Sequence, residues 1–163
     1  MRIEEKTKDE IDRKLKSMGD YVKMDYLTHC LEKPLDFETK KFVLLKLERI
    51  YEEKKMYGEA GRLLRIVADI SSTNQSRILD FIKSVELFIR AGNFAEADVS
   101  FKKAMANSSE MEKGRIKNSV KEFYKTQARA YLLKGKRKHA LDIYEKLMRE
   151  FVLNIDEKIF VEE

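Results

Sequence analysis

The feature that most constrains how this chain folds is a short stretch, residues 92–104, in which a signal for the end of one helix is followed at once by a signal for the start of another. Gly92 stands where a residue in the left-handed backbone conformation ends a helix. Asn93 and Glu96 then have the spacing of an N-cap residue and its capping-box partner. Small and aromatic residues continue at helical spacing along one face, beginning at Ala97. The stretch therefore predicts the elbow of a helical hairpin.

The elbow recurs along the chain at nearly regular intervals. The residues that align at its small-residue position are Met24, Ala60, Ala97 and Ala140, which are 36, 37 and 43 positions apart. Repetition with a period in this range is typical of stacked two-helix units. The predicted hairpins cover about residues 3–33, 37–70, 74–106 and 109–150, with a C-terminal tail at 151–163. We expect them to form one domain, and an up-down bundle of eight helices without superhelical stacking is the alternative arrangement.

The composition is typical of a nearly all-helical chain. One proline and six glycines in 163 residues leave few helix breakers, and charged residues make up 39% of the chain, as expected for solvated helix faces. Cys30 is the only cysteine and lies in an apolar run, so we expect a buried thiol and no disulfide. The N-terminal residues lack the apolar core of a signal peptide, and no run reaches the length of a membrane span. These features predict a cytoplasmic protein without membrane contact.

Capping signals set the expected starts of several helices. The first helix is expected to begin near Ile3. Asp36 should cap the third helix, because an acidic side chain there accepts hydrogen bonds from the free N–H groups of the first turn. Ser72 with Gln75 predicts a capping box at the start of the fifth helix, and a similar box is predicted at Ser109 for the seventh.

The pattern resembles the tetratricopeptide repeat, a helix-turn-helix unit of about 34 residues. The later half of that repeat reads glycine, a polar residue, an aromatic residue, a small alanine and a second aromatic residue. The residues that match it best are Gly92, Phe94, Ala97, Phe101 and Ala104, followed by Gly135, Ala140, Tyr144 and Leu147. In the unit around Ala60, Lys55 takes the place of the glycine. The resemblance covers most of the chain and is strongest over residues 78–150.

This sequence also departs from the family pattern. The family's tryptophan is missing from every unit, and Glu48 stands where the family has a small residue. The 43-residue spacing implies an insertion before or within the seventh helix. The resemblance implies an all-α fold in which antiparallel helical hairpins stack as a short, right-handed α-solenoid of about eight helices with a C-terminal cap.

The resemblance further implies a non-catalytic scaffold for protein–protein interaction. Members of the family hold a peptide or a helix of another protein in a concave groove lined by the first helix of each hairpin. The family's inward positions correspond here to Arg13, Lys46, Arg49, Lys83, Glu86, Lys125 and Arg129. The three arginines share a position where chaperone-binding relatives have asparagine, so the two-carboxylate clamp of those relatives is not matched. A row of planar guanidinium groups suits an acidic peptide, while solvated or ion-paired helix residues are the alternative interpretation.

No pattern in the sequence indicates catalysis, a metal or a cofactor. His29 and His139 are the only histidines and lie far apart, and a single cysteine completes neither a common zinc spacing nor a Cys–His pair. The glycines fall at helix ends, and the phosphate-loop, nucleophile-elbow and dinucleotide fingerprints are missing. We therefore expect neither an enzyme nor a cofactor-binding protein.

The strongest rival function is non-specific binding of nucleic acid through the fourth hairpin. Residues 113–149 contain twelve basic and three acidic side chains, a local charge of +9 against +5 for the whole chain. The elbow at Gly135 is surrounded by Lys134, Lys136, Arg137 and Lys138, which are spaced to contact successive phosphates. A further alternative is a self-assembling module, a homo-oligomer in which apolar residues of the tail at 151–163 dock on another copy.

Overall fold

Eight α-helices make up the computed structural model, which describes residues 2–151. They are α1 (Lys8–Leu15), α2 (Asp20–Cys30), α3 (Phe37–Glu53), α4 (Tyr57–Ile70), α5 (Asn74–Arg90), α6 (Phe94–Ala106), α7 (Glu110–Leu133) and α8 (Arg137–Glu150). The residues in this range form no β-strand, so the all-α prediction is confirmed for the described part of the chain. Of the predicted tail only Phe151 is described. The rest of the tail, and any docking of it on another copy, lies outside the described residues.

The three turns that follow α3, α5 and α7 have the same backbone geometry. Lys55, Gly92 and Gly135 have positive φ angles of 60°, 77° and 75°. In each turn the N–H of the next residue donates to a carbonyl five residues earlier, as in a Schellman motif. These bonds are Met56 to Tyr51 at 2.8 Å, Asn93 to Phe88 at 2.9 Å and Lys136 to Tyr131 at 2.8 Å. The predicted alignment of these elbows, with Lys55 in the place of a glycine, is confirmed.

Most of the predicted helix starts are confirmed, and two are wrong. Caps form as predicted at Asp36, Asn93 and Ser109, and the capping box at Ser109 is complete. The first helix begins at Lys8 rather than near Ile3, because the side chain of Thr7 caps it. Thr73 rather than Ser72 caps α5, since the threonine hydroxyl is the one that accepts from the N–H three residues on.

Buried apolar side chains form two main clusters. One joins α1, α2 and α3 around Leu27, and the other joins α4 to α8 around Phe81. A small third cluster between α4 and α5 contains Leu64 and Leu87. The aligned alanines Ala60, Ala97 and Ala140 are all buried. In these three units the small-residue position therefore allows the close approach of helices, whereas Met24 of the first unit is half-buried.

A buried polar network joins α4, α5 and α6. Ser84 Oγ donates to the carbonyl oxygen of Gly61 at 2.8 Å and lies 2.9 Å from Ser100 Oγ. Arg65 extends from α4 to α6, where its Nε donates to Ser100 Oγ at 3.0 Å. Its Nη2 donates to the carbonyl oxygen of Glu96 at 2.8 Å. Since the buried hydroxyls and the guanidinium all have partners, the network fixes how the three helices pack.

Ion pairs link like helices of consecutive hairpins. Between first helices the pairs are Asp12–Lys46 of α1 and α3, at 3.8 Å, and Glu52–Lys83 of α3 and α5, at 3.3 Å. Between second helices they are Arg65–Glu96 of α4 and α6, at 2.6 Å, and Asp98–Lys146 of α6 and α8, at 3.0 Å. The first helices of consecutive hairpins therefore lie near one another, and so do the second helices.

Candidate functional site

A cavity of about 580 Å³, named here the N-terminal cavity, lies along α3 and extends to α1. Its cationic lining residues are Lys8, Lys41, Lys46 and Arg49, and its carboxylates are Glu38 and Glu48. Its apolar lining residues are Phe37, Phe42 and Leu45. This lining can contact a ligand through apolar and cationic groups at the same time.

Two further cavities follow the first in succession. The middle cavity, of about 420 Å³, is lined by Arg49, Glu52, Glu53, Tyr57 and Arg90. The elbow cavity, of about 540 Å³, is lined by Lys55, Tyr57, Glu86, Arg90 and Lys134, together with Phe123, Thr126, Gln127 and Ala130 of α7. Arg49 lines both the N-terminal and the middle cavity, and Tyr57 and Arg90 line both the middle and the elbow cavity. The three cavities thus follow one another across α1, α3, α5 and α7.

The contact between Tyr57 and Arg90 is the part of this site that sequence reasoning missed. The guanidinium of Arg90 lies 4.2 Å from the centroid of the Tyr57 ring, and its Nη2 donates to the tyrosine hydroxyl at 3.0 Å. Arg90 is exposed and ends α5 two residues before Gly92. The sequence signal that could have revealed Arg90 is that a cation stands beside each of the three elbows. Lys55 and Lys134, at the other two elbows, line the same cavity.

Glu48 is a buried carboxyl group in the wall of the N-terminal cavity. Its residue is 8% exposed, and its Oε1 has no hydrogen-bond partner among the described residues. Burial, together with a hydrogen bond to the carboxylate of Glu52, raises the pKa of Glu48 to about 8. The same hydrogen bond lowers the pKa of Glu52, whose carboxylate also pairs with Lys83. Near neutral pH the two carboxyl groups therefore share a single negative charge.

The predicted groove residues of α3 and α5 lie along these cavities. Lys46 and Arg49 line the N-terminal cavity, and Glu86 lines the elbow cavity. Lys83 pairs with Glu52 at 3.3 Å and with Glu86 at 3.8 Å, between α3 and its own helix. Three of the four residues thus line a cavity, and Lys83 is joined by ion pairs to the lining residues Glu52 and Glu86.

The predicted residues of α1 and α7 lie elsewhere. Lys125 and Arg129 lie beside Tyr144 of α8, where burial raises the pKa of the tyrosine and their two positive charges oppose the shift. Lys125 also pairs with Glu122 at 3.2 Å. Arg13 is exposed in the last turn of α1. The elbow cavity is lined by a neighbouring face of α7, the face that carries residues 123, 126, 127, 130 and 134.

The basic cluster of the fourth hairpin is exposed. Lys134, Lys136, Arg137 and Lys138 are all exposed around the turn between α7 and α8. Lys134 lines the elbow cavity together with Lys55 and Arg90, which come from distant parts of the sequence. The cationic surface at the elbows is therefore larger than the fourth hairpin alone provides.

The single cysteine and the two histidines all pack against neighbouring residues. Cys30 is buried as expected, and burial raises the pKa of its thiol. His29 lies 3.4 Å from Asp25, and the ring of His139 packs 5.2 Å from that of Tyr131. Within residues 2–151, no three His, Cys, Asp or Glu side chains are grouped as metal ligands would be. None of the helices in this range has both the length and the apolar character that crossing a membrane requires.

Comparison with known proteins yields no relative: no family model, curated protein or solved structure matches this chain.

Proposed function

We propose that this protein is a non-catalytic scaffold that binds a peptide or a helix of a partner protein along the N-terminal, middle and elbow cavities. We further propose that its hairpins form a short tetratricopeptide-like, right-handed α-solenoid and that it acts in the cytoplasm. Three elbows of one geometry and ion pairs between like helices support the stacking. In arrays of this kind, ligands are held by the first helices of the hairpins.

The observation that carries this function is the continuity of the three cavities. Neighbouring cavities share lining residues, so an extended ligand can remain in contact from α1 to α7. The shared residues are Arg49, Tyr57 and Arg90. Each of the two arginines presents several hydrogen-bond donors in one plane. A tyrosine and two arginines at the centre of a surface are the residue types that contribute most to binding in protein interfaces.

The charge of the lining favours an acidic ligand. The N-terminal cavity has four cations against two carboxylates, and the elbow cavity has three against one. In the middle cavity two arginines face two glutamates. The excess positive charge is thus concentrated at the two ends, where carboxylates of a ligand gain charge-assisted hydrogen bonds.

The test compares arginines inside and outside the cavities. Arg49→Ala and Arg90→Ala should each weaken binding of labelled protein to an array of acidic peptides by about threefold to tenfold, since each removes hydrogen bonds to a charged group. Arg129→Ala is the matched control, because Arg129 lies beside Tyr144 and away from the cavities. Equal affinities for all three variants and the unchanged protein would contradict the proposal.

Non-specific nucleic-acid binding is the second candidate, and the extended cationic surface at the elbows favours it. Here the exposed cluster at residues 134–138 is enlarged by Lys55 and Arg90. Such binding should weaken steeply with salt, because each phosphate contact releases counterions. A titration of labelled RNA and DNA at about 50 mM and about 200 mM salt tests it, and lack of binding at the lower salt removes this candidate. Sedimentation of the protein alone tests the third candidate, self-assembly.

A further inference from the structure

The N-terminal cavity differs from the middle and elbow cavities in having two exposed large apolar side chains in its lining. Phe37 and Leu45 line it and remain 45% and 38% exposed. An apolar side chain of a ligand that covers them removes their surface from water, which favours binding. The cavity thus has a hydrophobic contact to offer in addition to its charges.

The same cavity contains a polar group without a partner. Oε1 of Glu48 is buried and has no hydrogen-bond donor within the described residues, although its neighbour Glu52 is bonded to Lys83. Because Oε1 is shielded from solvent, Glu48 acts on a ligand through the charge of its carboxyl group rather than through a direct hydrogen bond.

Cations surround the apolar wall. The Nζ atoms of Lys8 and Lys46 each lie 5.5 Å from the centroid of the Phe42 ring, one approaching from α1 and one from α3 itself. Arg49 and Lys41 complete the cationic lining. Carboxylates next to an apolar ligand residue would therefore meet positive charge on both sides of the cavity.

We propose that the N-terminal cavity is the anchor of the ligand site, which takes one apolar side chain of a partner segment flanked by aspartate or glutamate residues. This inference rests on the proposed function and specifies its ligand. The apolar residue contacts Phe37 and Leu45, and the flanking carboxylates contact the cations around them.

The anchor has a pH dependence that follows from the charge of Glu48. The charged groups that act on its carboxyl group are Glu52 and Arg49 from α3 and Lys83 from α5. Below a pH of about 8 the carboxyl group is neutral, and an acidic ligand meets four cations and one carboxylate, that of Glu38. Above that pH it gains a negative charge that repels the ligand, so affinity falls as pH rises.

The experiment uses short fluorescein-labelled peptides in which one leucine is flanked by glutamates, with fluorescence anisotropy as the readout. Replacing that leucine by alanine should weaken binding by about tenfold, since it removes a buried side chain worth about 1.4 kcal/mol or more. Binding of the leucine peptide should also weaken by about threefold to tenfold between about pH 6.5 and about pH 9.

Variants of the protein locate the anchor. Glu48→Gln should abolish the pH dependence, because the amide stays neutral. Leu45→Ala should weaken the leucine peptide by about threefold, through loss of apolar contact. Leu79→Ala is the matched control, since Leu79 is 68% exposed on α5 and lies away from the cavity. Circular dichroism at both pH values establishes that each variant is folded.

The outcomes separate failure of this inference from failure of the proposed function. If a peptide with lysine in place of glutamate binds as well, or if no acidic peptide binds, recognition of acidic ligands is wrong altogether. Acidic peptides could instead bind with an affinity that does not change with the peptide leucine, with substitution of Leu45 or Glu48, or with pH. They would then bind elsewhere along the cavities, and the anchor would be overturned. A stable dimer whose affinity depends on Leu45 and which the peptide does not dissociate would also overturn it, in favour of a second copy as the occupant.

Discussion

Two buried polar positions on neighbouring first helices, Ser84 of α5 and Glu48 of α3, differ in how completely they are satisfied. The hydroxyl of Ser84 bonds to the carbonyl of Gly61 and to Ser100, and Arg65 extends the network. Glu48 bonds to Glu52 but leaves Oε1 without a partner among the described residues. A satisfied network contributes to the packing of three helices, whereas an unsatisfied group costs stability.

The two positions also differ in how closely the surrounding helices pack. Around Ser84 the helices pack closely enough that a Cβ atom on Gly61 would lie 3.2 Å from the ring of Phe88. Around Glu48 the surface opens into the N-terminal cavity. The ligand site proposed above therefore lies beside the less closely packed of the two positions.

The largest expected effect comes from disturbing the packed region. Gly61→Val should destabilise the protein by about 3 kcal/mol, because the branched side chain enters space occupied by Phe88. Gly114→Val is the matched control in another helix, and nothing lies near its added Cβ. We expect the control to change the free energy of unfolding by less than about 0.5 kcal/mol, since a helix tolerates valine somewhat better than glycine. Urea denaturation measures both, and equal effects would refute the close packing of α4 on α5.

A smaller effect is expected at the open region, and it depends on pH. The folded protein raises the pKa of Glu48, so its contribution to stability is fully present below about pH 4.3 and is lost as pH rises towards about 8. The lowered pKa of Glu52 acts in the opposite sense, but that gain is complete by about pH 5. Between about pH 6.5 and about pH 8.5 the free energy of unfolding should therefore fall by about 2 kcal/mol.

Glu48→Gln should remove this fall, because the amide has no proton to lose. Glu38→Gln is the control, as it alters an exposed carboxylate on the same helix. Urea denaturation of the wild-type protein and of both variants across this pH range tests the prediction. A wild-type profile that rises or stays level, or one that Glu48→Gln leaves unchanged, would mean that Glu48 is not a buried neutral acid.

The sequence allowed the helices and elbows to be predicted because their signals are local. An N-cap side chain, a left-handed glycine and a helical stripe each act within about one turn of helix. Even the substitution of Lys55 for a glycine was recognisable from the residues that follow it, and its φ of 60° agrees. The error at α5 arose because Ser72 and Thr73 are adjacent and both can cap.

The cavities were only partly predictable because they depend on how helices rotate about their axes. Of the residues predicted for a ligand groove, Lys46, Arg49 and Glu86 line these cavities. On α7 a neighbouring face lines the elbow cavity, and Lys125 and Arg129 lie beside Tyr144. This helix is the one lengthened by the predicted insertion, with 24 residues in all. Its rotation is set by contacts with α5 and α8, which no repeat of a local pattern determines.

The smallest expected effect distinguishes the ion pairs of the two regions. Asp12 and Lys46, which join α1 to α3, are 3.8 Å apart with side chains 47% and 44% exposed. Arg65, which joins α4 to α6, is only 17% exposed and pairs with Glu96 at 2.6 Å. Exposed pairs contribute about 0–1 kcal/mol because solvent and salt screen them. Asp12→Asn should therefore change the free energy of unfolding by less than about 0.5 kcal/mol, and Glu96→Gln should destabilise by more, about 1 kcal/mol. Urea denaturation at low and high salt measures both variants. A larger loss of stability for Asp12→Asn than for Glu96→Gln would mean that the N-terminal helices, like α4 and α6, are held by their polar contacts.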